Sequence, residues 1–304
     1  MSSVLRRPSP RVLFVGRTTL DLLYLLDELP VEDTKAYARE LRSAPGGPAL
    51  NAAITHSMLG GSATLISAVG GGRWSVQVRE ELGRHKIRLL DLGAGTDYET
   101  PLVTALVSAA RSSRTIVNPP LSTVTLPALP AAWEQAAPDA WGDAPPVILC
   151  DGFHLAQTLP LLASCKSSAI CLDGGSWKPG TAELAPLLTA AICSERFTIP
   201  GEPAGPESIF KWFAARGVPH IAVTRGARPI LGWDGGGWDR GRRFEIEIEA
   251  IEARDTLGAG DVLHGAFCHY FALGADFESA LRKASVVATR SCQSPGIESW
   301  AGQA

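Results

Sequence analysis

No run in this 304-residue chain is apolar for long enough to span a membrane. Charge of neither sign dominates: 28 basic against 31 acidic residues leave a net charge of -3. A basic face able to hold a nucleic-acid backbone is therefore not expected. No CxxC pair occurs, and the six cysteines, Cys150, Cys165, Cys171, Cys193, Cys268 and Cys292, lie scattered, several inside apolar runs such as VILCDG and AICLDG. Buried, reduced thiols and a cytoplasmic location are the expectation. The GxxxxGK[ST] phosphate loop and the GxSxG nucleophile elbow are both missing. His264 and His269 are five apart on one helix and do not share a face, which argues against a zinc pair. Internal repeats and low-complexity tracts are absent. The opening MSSVLRRPSPRVLFVG has basic residues but only a short apolar segment, so VLFVG reads as a first core strand and not as a signal peptide.

What is present is a hydrophobic content of 45%, enough for one large core with an appendage. Strand-like runs alternate with helical ones. RVLFVG, SATLISAVG, PPVILCDG, SSAICLDGG, TAAICSE and PHIAVTRG read as strands. WSVQVREELGRH, FHLAQTLPLLASCK, PESIFKWFAARG, DVLHGAFCHYFALG and FESALRKASVVATRSC read as helices. In the last, Phe277, Leu281, Ala284 and Ala288 recur at helical spacing and mark a buried face. Strands apolar throughout, with helices between them, point to a mostly parallel sheet covered on both faces. Two regions break the rhythm. Residues 21–47 hold strand-like stretches around a polar turn, and residues 101–120 read as a hairpin about ARSSR. These four strands form a small separate sheet, serving as a flap or an oligomer contact. Residues 119–146, rich in Pro and Ala, read as a surface connection. GWDGGGW reads as a turn between strands.

DTLGAGD, Asp255 to Asp261, stands where a loop becomes a helix. The first turn of a helix has free N–H groups and partial positive charge. Glycines at 258 and 260 let an anion reach the backbone. A bare GxGD also fits an ordinary capped helix. A carboxylate beside a phosphate cradle is nonetheless repulsive unless chemistry needs it, and Asp261 can take the proton of an attacking hydroxyl. With a reference pKa of about 3.9 it is ionised at neutral pH. Positioning and charge stabilisation dominate phosphoryl transfer, so a weak base suffices.

The string resembles the C-terminal signature of the ribokinase-like (PfkB) carbohydrate kinases, DTxGAGD. PGGPALNAAITHSMLGG, residues 45–61, resembles the N-terminal signature, in which a Gly-Gly pair precedes an Asn on a helix. The segment from Val15 to Ala53 is similar to ketohexokinase-like members. The resemblance runs from Arg11 to about Trp300 and implies a three-layer αβα sandwich with a mostly parallel central sheet and a small β-sheet lid. The sandwich would comprise residues 11–20, 48–100 and 121–300; the lid, residues 21–47 and 101–120. It implies transfer from ATP to a hydroxyl of a small sugar or sugar derivative, with Asp261 as base. The amides of Leu257, Gly258, Ala259 and Gly260 would form the anion hole. Asp21, matched to the Asp of the first turn after the opening strand, and Asn51 would hold sugar hydroxyls, with Gly46 and Gly47 bringing the backbone close. VTRGARPILGW resembles the strand-turn beside the nucleotide, placing Thr224 and Gly226 near ATP; Cys292 would pack beside adenine. Mg²⁺ is implied with ATP, and a monovalent cation is left open. The lid would exclude water, and its edges suggest a homodimer.

The chain departs from the pattern at several positions. Pro48 replaces the sugar-contacting Asn of ketohexokinase-like members and offers no side-chain hydrogen bond. In SERF, Ser194 and Phe197 replace the Asn and Glu of Asn-x-x-Glu, leaving Glu195 as the candidate beside the metal. GGGRW stands where an acidic residue is usual. Arg17 and Arg114 are candidates for reading a phosphate or sulfonate on the acceptor, or are solvated surface charges. His154, after the strand end CDGFH, is a candidate pocket residue. Two rivals remain: a kinase-like protein that binds without catalysing, and a kinase of nucleosides or a vitamin-like alcohol.

Overall fold

The computed structural model describes residues 9–110, 113–130, 145–235, 241–294, 296, 298 and 300. Nine strands form the main sheet: β1 (Arg11–Val15), β4 (Ser62–Ser67), β5 (Arg88–Asp91), β8 (Val147–Cys150), β9 (Ala169–Gly174), β10 (Ala190–Ser194), β11 (His220–Arg225), β12 (Arg228–Asp234) and β13 (Arg242–Ile246). Their spatial order is β13-β12-β11-β10-β9-β8-β1-β4-β5. Every neighbouring pair from β5 to β11 is parallel; β12 and β13 close one edge in antiparallel pairing.

Strand β1 shows why the sheet is covered twice. Val12 and Phe14 face one core; Leu13 and Val15, pointing the other way, join a second. Helices α1 (Pro48–Met58), α2 (Ser75–Arg84), α6 (Ala259–Ala272) and α7 (Phe277–Ser291) supply the first core. Helices α3 (Leu155–Ser164), α4 (Thr181–Leu184) and α5 (Pro206–Ala214) supply the second. The expected three layers are present, and Phe277, Leu281, Ala284 and Ala288 are all buried on α7. That helix starts where the Asp276 carboxylate accepts the Ser279 N–H at 2.9 Å.

The four irregular strands do form a second sheet, in the order β3-β2-β6-β7: β2 (Thr19–Leu26), β3 (Glu40–Gly46), β6 (Leu102–Ser108) and β7 (Ser113–Val117). Asp21 corrects one detail. It sits inside β2, opposite Ala44 of β3, and not in a turn. The chain leaves β1 directly into the strand TLDLLYLL, whose residues pair with both β3 and β6. Residues 119–130 have no regular structure, as expected; residues 131–144, the hairpin tip at 111–112 and the GWDGGGW turn at 236–240 fall outside the described residues. No helix among the described residues is long and apolar enough to cross a membrane.

Two features aim the architecture at one place. The chain moves from β1 to β4 and β5 on one side, then returns to β8 on the other. In open α/β sheets the crevice at the carboxyl ends of such strands is where ligands bind. Helices α1 and α6 also approach closely. A Cβ on Gly265 of α6 would lie 2.3 Å from the carbonyl oxygen of Ala52 and 2.8 Å from Thr55 Cβ. Gly265→Ala must push these helices apart. We expect a loss of about 1–3 kcal/mol of stability, read as a lowered denaturation midpoint. An unchanged midpoint would contradict the close crossing.

Candidate active site

A cavity of about 560 Å³ lies between the carboxyl ends of the main sheet and the inner face of the small sheet. Alternation decides what the small sheet presents. Thr19, Asp21 and Leu23 of β2 face the cavity beside Arg42, Ala44 and Gly46 of β3, with Val103 of β6 and Arg114 and Ile116 of β7.

Asp261 stands in the first turn of α6, whose N-cap Gly258 has φ 75°. Gly258 therefore needs the left-handed region, which glycine enters without strain. A Cβ on Gly260 would meet nothing within 4 Å, so the backbone there is open. Neither glycine's N–H donates to a protein acceptor among the described residues. Leu257 differs: its N–H already donates to Asp255 Oδ1 at 2.8 Å. The bare donors are thus those of Gly258 and Gly260, while Ala259 N–H makes a long 3.4 Å bond to the Thr256 carbonyl. Asp255, first residue of the signature, is an anchor; its Oδ2 accepts the Gly296 N–H at 3.1 Å.

Across the α1–α6 contact, Asn51 Nδ2 donates to Asp261 Oδ2 at 2.7 Å. Burial pushes the Asp261 carboxyl up, to about 7, and the nearby Asp173 charge adds to this. Asn51 and His264 oppose the rise; Asp21 reinforces it. A carboxyl near neutral is a far better proton acceptor than an ordinary Asp. Asp21 is also raised by burial, against the Thr19 hydroxyl, which donates to it at 2.7 Å, and the Arg17 charge. Gly46 and Gly47 are needed by the chain itself. Cβ atoms there would strike Asp21 Oδ2 at 2.3 Å and the Arg17 carbonyl at 2.4 Å.

Arg17 and Arg114 both line the cavity. Arg114 Nη1 donates to Thr256 Oγ1 at 3.1 Å, joining the small sheet to the loop that forms the cradle. The other assigned residues lie outside this cavity. Ser194 and Thr224 end β10 and β11, and Gly226 makes the following turn with φ 65°. Glu195 is ion-paired with Arg228. Cys292 is buried and directs its thiol at the Ala288 carbonyl, as a packing residue does. His154 begins α3 and does not line the cavity. His264 and His269 form no ligand cluster: His264 sits between the Gly260 and Ile192 carbonyls, and His269 packs against His56.

Among the cavity residues that were not anticipated are Asp151, Phe153, Asp173 and Lys178. Asp151 follows β8, and Asp173 lies near the end of β9. A polar residue closing an apolar strand, as in VILCDG and AICLDG, is the signal that could have found the two acids. Asp151 is buried and clamps two amides, accepting from Arg17 N–H at 2.7 Å and Phe153 N–H at 2.9 Å. Asp173 is buried, and its Oδ2 has no hydrogen-bond donor, with His264 Nδ1 3.4 Å away. A buried acceptor without a donor is costly, and one on a cavity wall suits a ligand hydroxyl.

Fold and site together define an α/β protein in which two bare glycine amides adjoin a raised carboxyl. Known structures share this architecture. Ribokinase from Giardia lamblia superposes with a TM-score of 0.75 at 16% identity, covering 96% of this chain and 97% of that one. Arabidopsis thaliana ribokinase, solved with ribose and ATP, superposes with a TM-score of 0.68 at 18% identity, covering 95% and 94%. In sequence, Lactococcus lactis ribokinase is 23% identical over 302 residues, covering 95% of this chain and 92% of that protein. A nucleoside kinase from Methanothermobacter thermautotrophicus is 36% identical over 90 residues, 30% of this chain and 29% of that protein. That match spans under a third of the relative's length. The chain belongs to the pfkB family of carbohydrate kinases, whose pattern it matches over residues 9–149 and 175–301.

Asn51→Leu keeps the shape of the side chain but removes the amide that holds Asp261 down. The Asp261 carboxyl should then titrate at least about one pH unit higher, measured by carboxyl ¹³C NMR. An unmoved midpoint would mean that the bond is unimportant.

Proposed function

We propose that this chain transfers the γ-phosphoryl group of ATP to a hydroxyl of a small sugar or sugar derivative. The observation that carries this is the pairing of bare Gly258 and Gly260 amides with a carboxyl pushed up to about 7 in the same helical turn. The family and its ribokinase relatives support the donor and the acceptor class.

The acceptor oxygen attacks the γ-phosphorus. The new O–P bond forms as the bond to the β,γ-bridging oxygen breaks, leaving ADP, and the hydroxyl proton passes to an Asp261 carboxylate oxygen. Asn51 holds that carboxylate by its other oxygen, aiming the free one. Gly258 and Gly260, with Ala259, donate to the phosphoryl oxygens; Leu257 joins only by giving up Asp255. Loss of one such donor costs about 2.7–4 kcal/mol of barrier. Asp21 and Asp173 accept sugar hydroxyls. The small sheet acts as the lid over residues 48–100 and 121–300, with Arg114 as its tie to the cradle loop. Ser194, Thr224 and Gly226, at the ends of β10 and β11, and Cys292, at the end of α7, are the candidates for the nucleotide side. When bound with ATP, Mg²⁺ would neutralise phosphate charge; Glu195 is committed to Arg228, and no step here is assigned to it. A nucleoside acceptor is the second reading, favoured by the apolar wall of Leu23, Val103 and Ile116.

Asp261→Asn should lower kcat by about 10²–10⁴ while calorimetry still detects ATP binding; near-normal turnover would refute the assignment. The wild-type protein should lose kcat/KM as pH falls through about 7, because protonation removes the base. The decline should approach tenfold per pH unit, roughly as for one ionising base. A profile flat down to pH 5 would exclude a raised carboxyl as the base.

A further inference from the structure

Three residues at one corner of the cavity belong together. The guanidinium of Arg17 lies 5.1 Å from the centre of the Phe153 ring, and the ammonium of Lys178 lies 4.8 Å from the same centre. Two cations thus share one aromatic ring, whose electron-rich face attracts them. Both side chains line the cavity. Among the described residues, no carboxylate comes within ion-pair distance of either, while Arg39, Arg42, Arg79, Arg84, Arg228, Arg242, Arg243 and Arg282 all have such partners.

The local sequence builds this corner deliberately in physical terms. Asp151 spends its oxygens on the Arg17 and Phe153 amides, so it fixes both residues without neutralising the guanidinium. Gly152, with φ 87°, has no side chain because the stem of Lys178 crosses it: a Cβ would lie 2.9 Å from Lys178 Cγ. Ser176 holds the ammonium end through its carbonyl at 3.3 Å. Burial depresses the Lys178 ammonium, Asp151 and Asp173 oppose this, and Arg17 adds to it. An arriving anion would relieve the repulsion between the two cations. The corner is separate from the phosphoryl cradle, whose own lid cation is Arg114.

From this geometry we infer that Arg17 and Lys178, held on Phe153, form a subsite for an anionic substituent of the acceptor, so that the acceptor is a sugar acid or a sugar phosphate and not a neutral sugar. The inference rests on the kinase reading and deepens it. Carboxylate and phosphate share the chemistry that two adjacent cations recognise.

The test uses the full chain with ATP and three matched pairs: gluconate and glucose, fructose 6-phosphate and fructose, ribose 5-phosphate and ribose. At least one charged member should exceed its neutral partner in kcat/KM by on the order of 100-fold. The gluconate pair against the phosphate pairs distinguishes the two anions. Arg17→Met and Lys178→Met should each lower that value by roughly 100-fold, through KM, with the KM for ATP unchanged. Lys178→Arg should recover part of the loss, and thermal melts establish that each variant folds. Calorimetric binding of the charged acceptor to Asp261→Asn protein provides a readout without turnover. Binding that persists there and vanishes on adding Lys178→Met upholds the subsite even where no transfer occurs, a result that would overturn only the kinase reading. Neutral sugars used as well as charged ones, failure of all three charged compounds to bind, or equal losses toward both members of a pair would overturn the subsite.

Discussion

Helix α6 lies against α1 only because residue 265 has no side chain to keep them apart. This close crossing delivers Asn51, on one helix, to Asp261, on the other, at 2.7 Å. The rest of the site depends on that contact. It takes one carboxylate oxygen out of play and points the second toward the cavity. It also buries the pair deeply enough for desolvation to dominate the Asp261 carboxyl. A looser crossing would give a wetter, more acidic and less directed group.

Five aspartates line one cavity, and their surroundings give them different tasks. Asp255 and Asp151 are spent on backbone amides. They set the shape of the cradle loop and of the Arg17 turn and have little left for a ligand. Asp173 keeps an oxygen without a donor, Asp21 shares one with the Thr19 hydroxyl, and Asp261 is raised toward neutrality. Crowding acidic groups in a low-dielectric space costs free energy. The cost is offset where cations stand near, and here Arg17, Arg42, Arg114 and Lys178 face the same space. The charge is mixed, but separated into a cradle, an acidic middle and a cationic corner.

Much of this was legible before any coordinates. DTLGAGD indicated a helix start able to hold an anion, because loop glycines and a first-turn acid are local properties. The four strands of the second sheet stood out because strand-like stretches around a polar turn and a hairpin break the alternation of strands and helices. Asp151, Phe153, Asp173 and Lys178 were missed because each is unremarkable among its neighbours in the chain. Their meaning comes from lying at the ends of β8 and β9, beside the Arg17 turn. The bond that engages the Leu257 amide was hidden for a related reason: the carboxylate that accepts it is two residues away, and only the fold of that loop shows that they meet. The same holds for Glu195, whose partner Arg228 comes from the adjacent strand connection.

The amino-acid order by itself determined the layer architecture, the second sheet and the family, since periodicity and short signatures depend on residues close together in the chain. Tertiary structure alone decided which acids are raised by burial and which clamp backbone amides, and which cations are left without a carboxylate. Those properties arise from burial and from partners up to 210 positions apart, as with Asn51 and Asp261. No local pattern encodes them, because the free energy of a charge depends on everything folded around it.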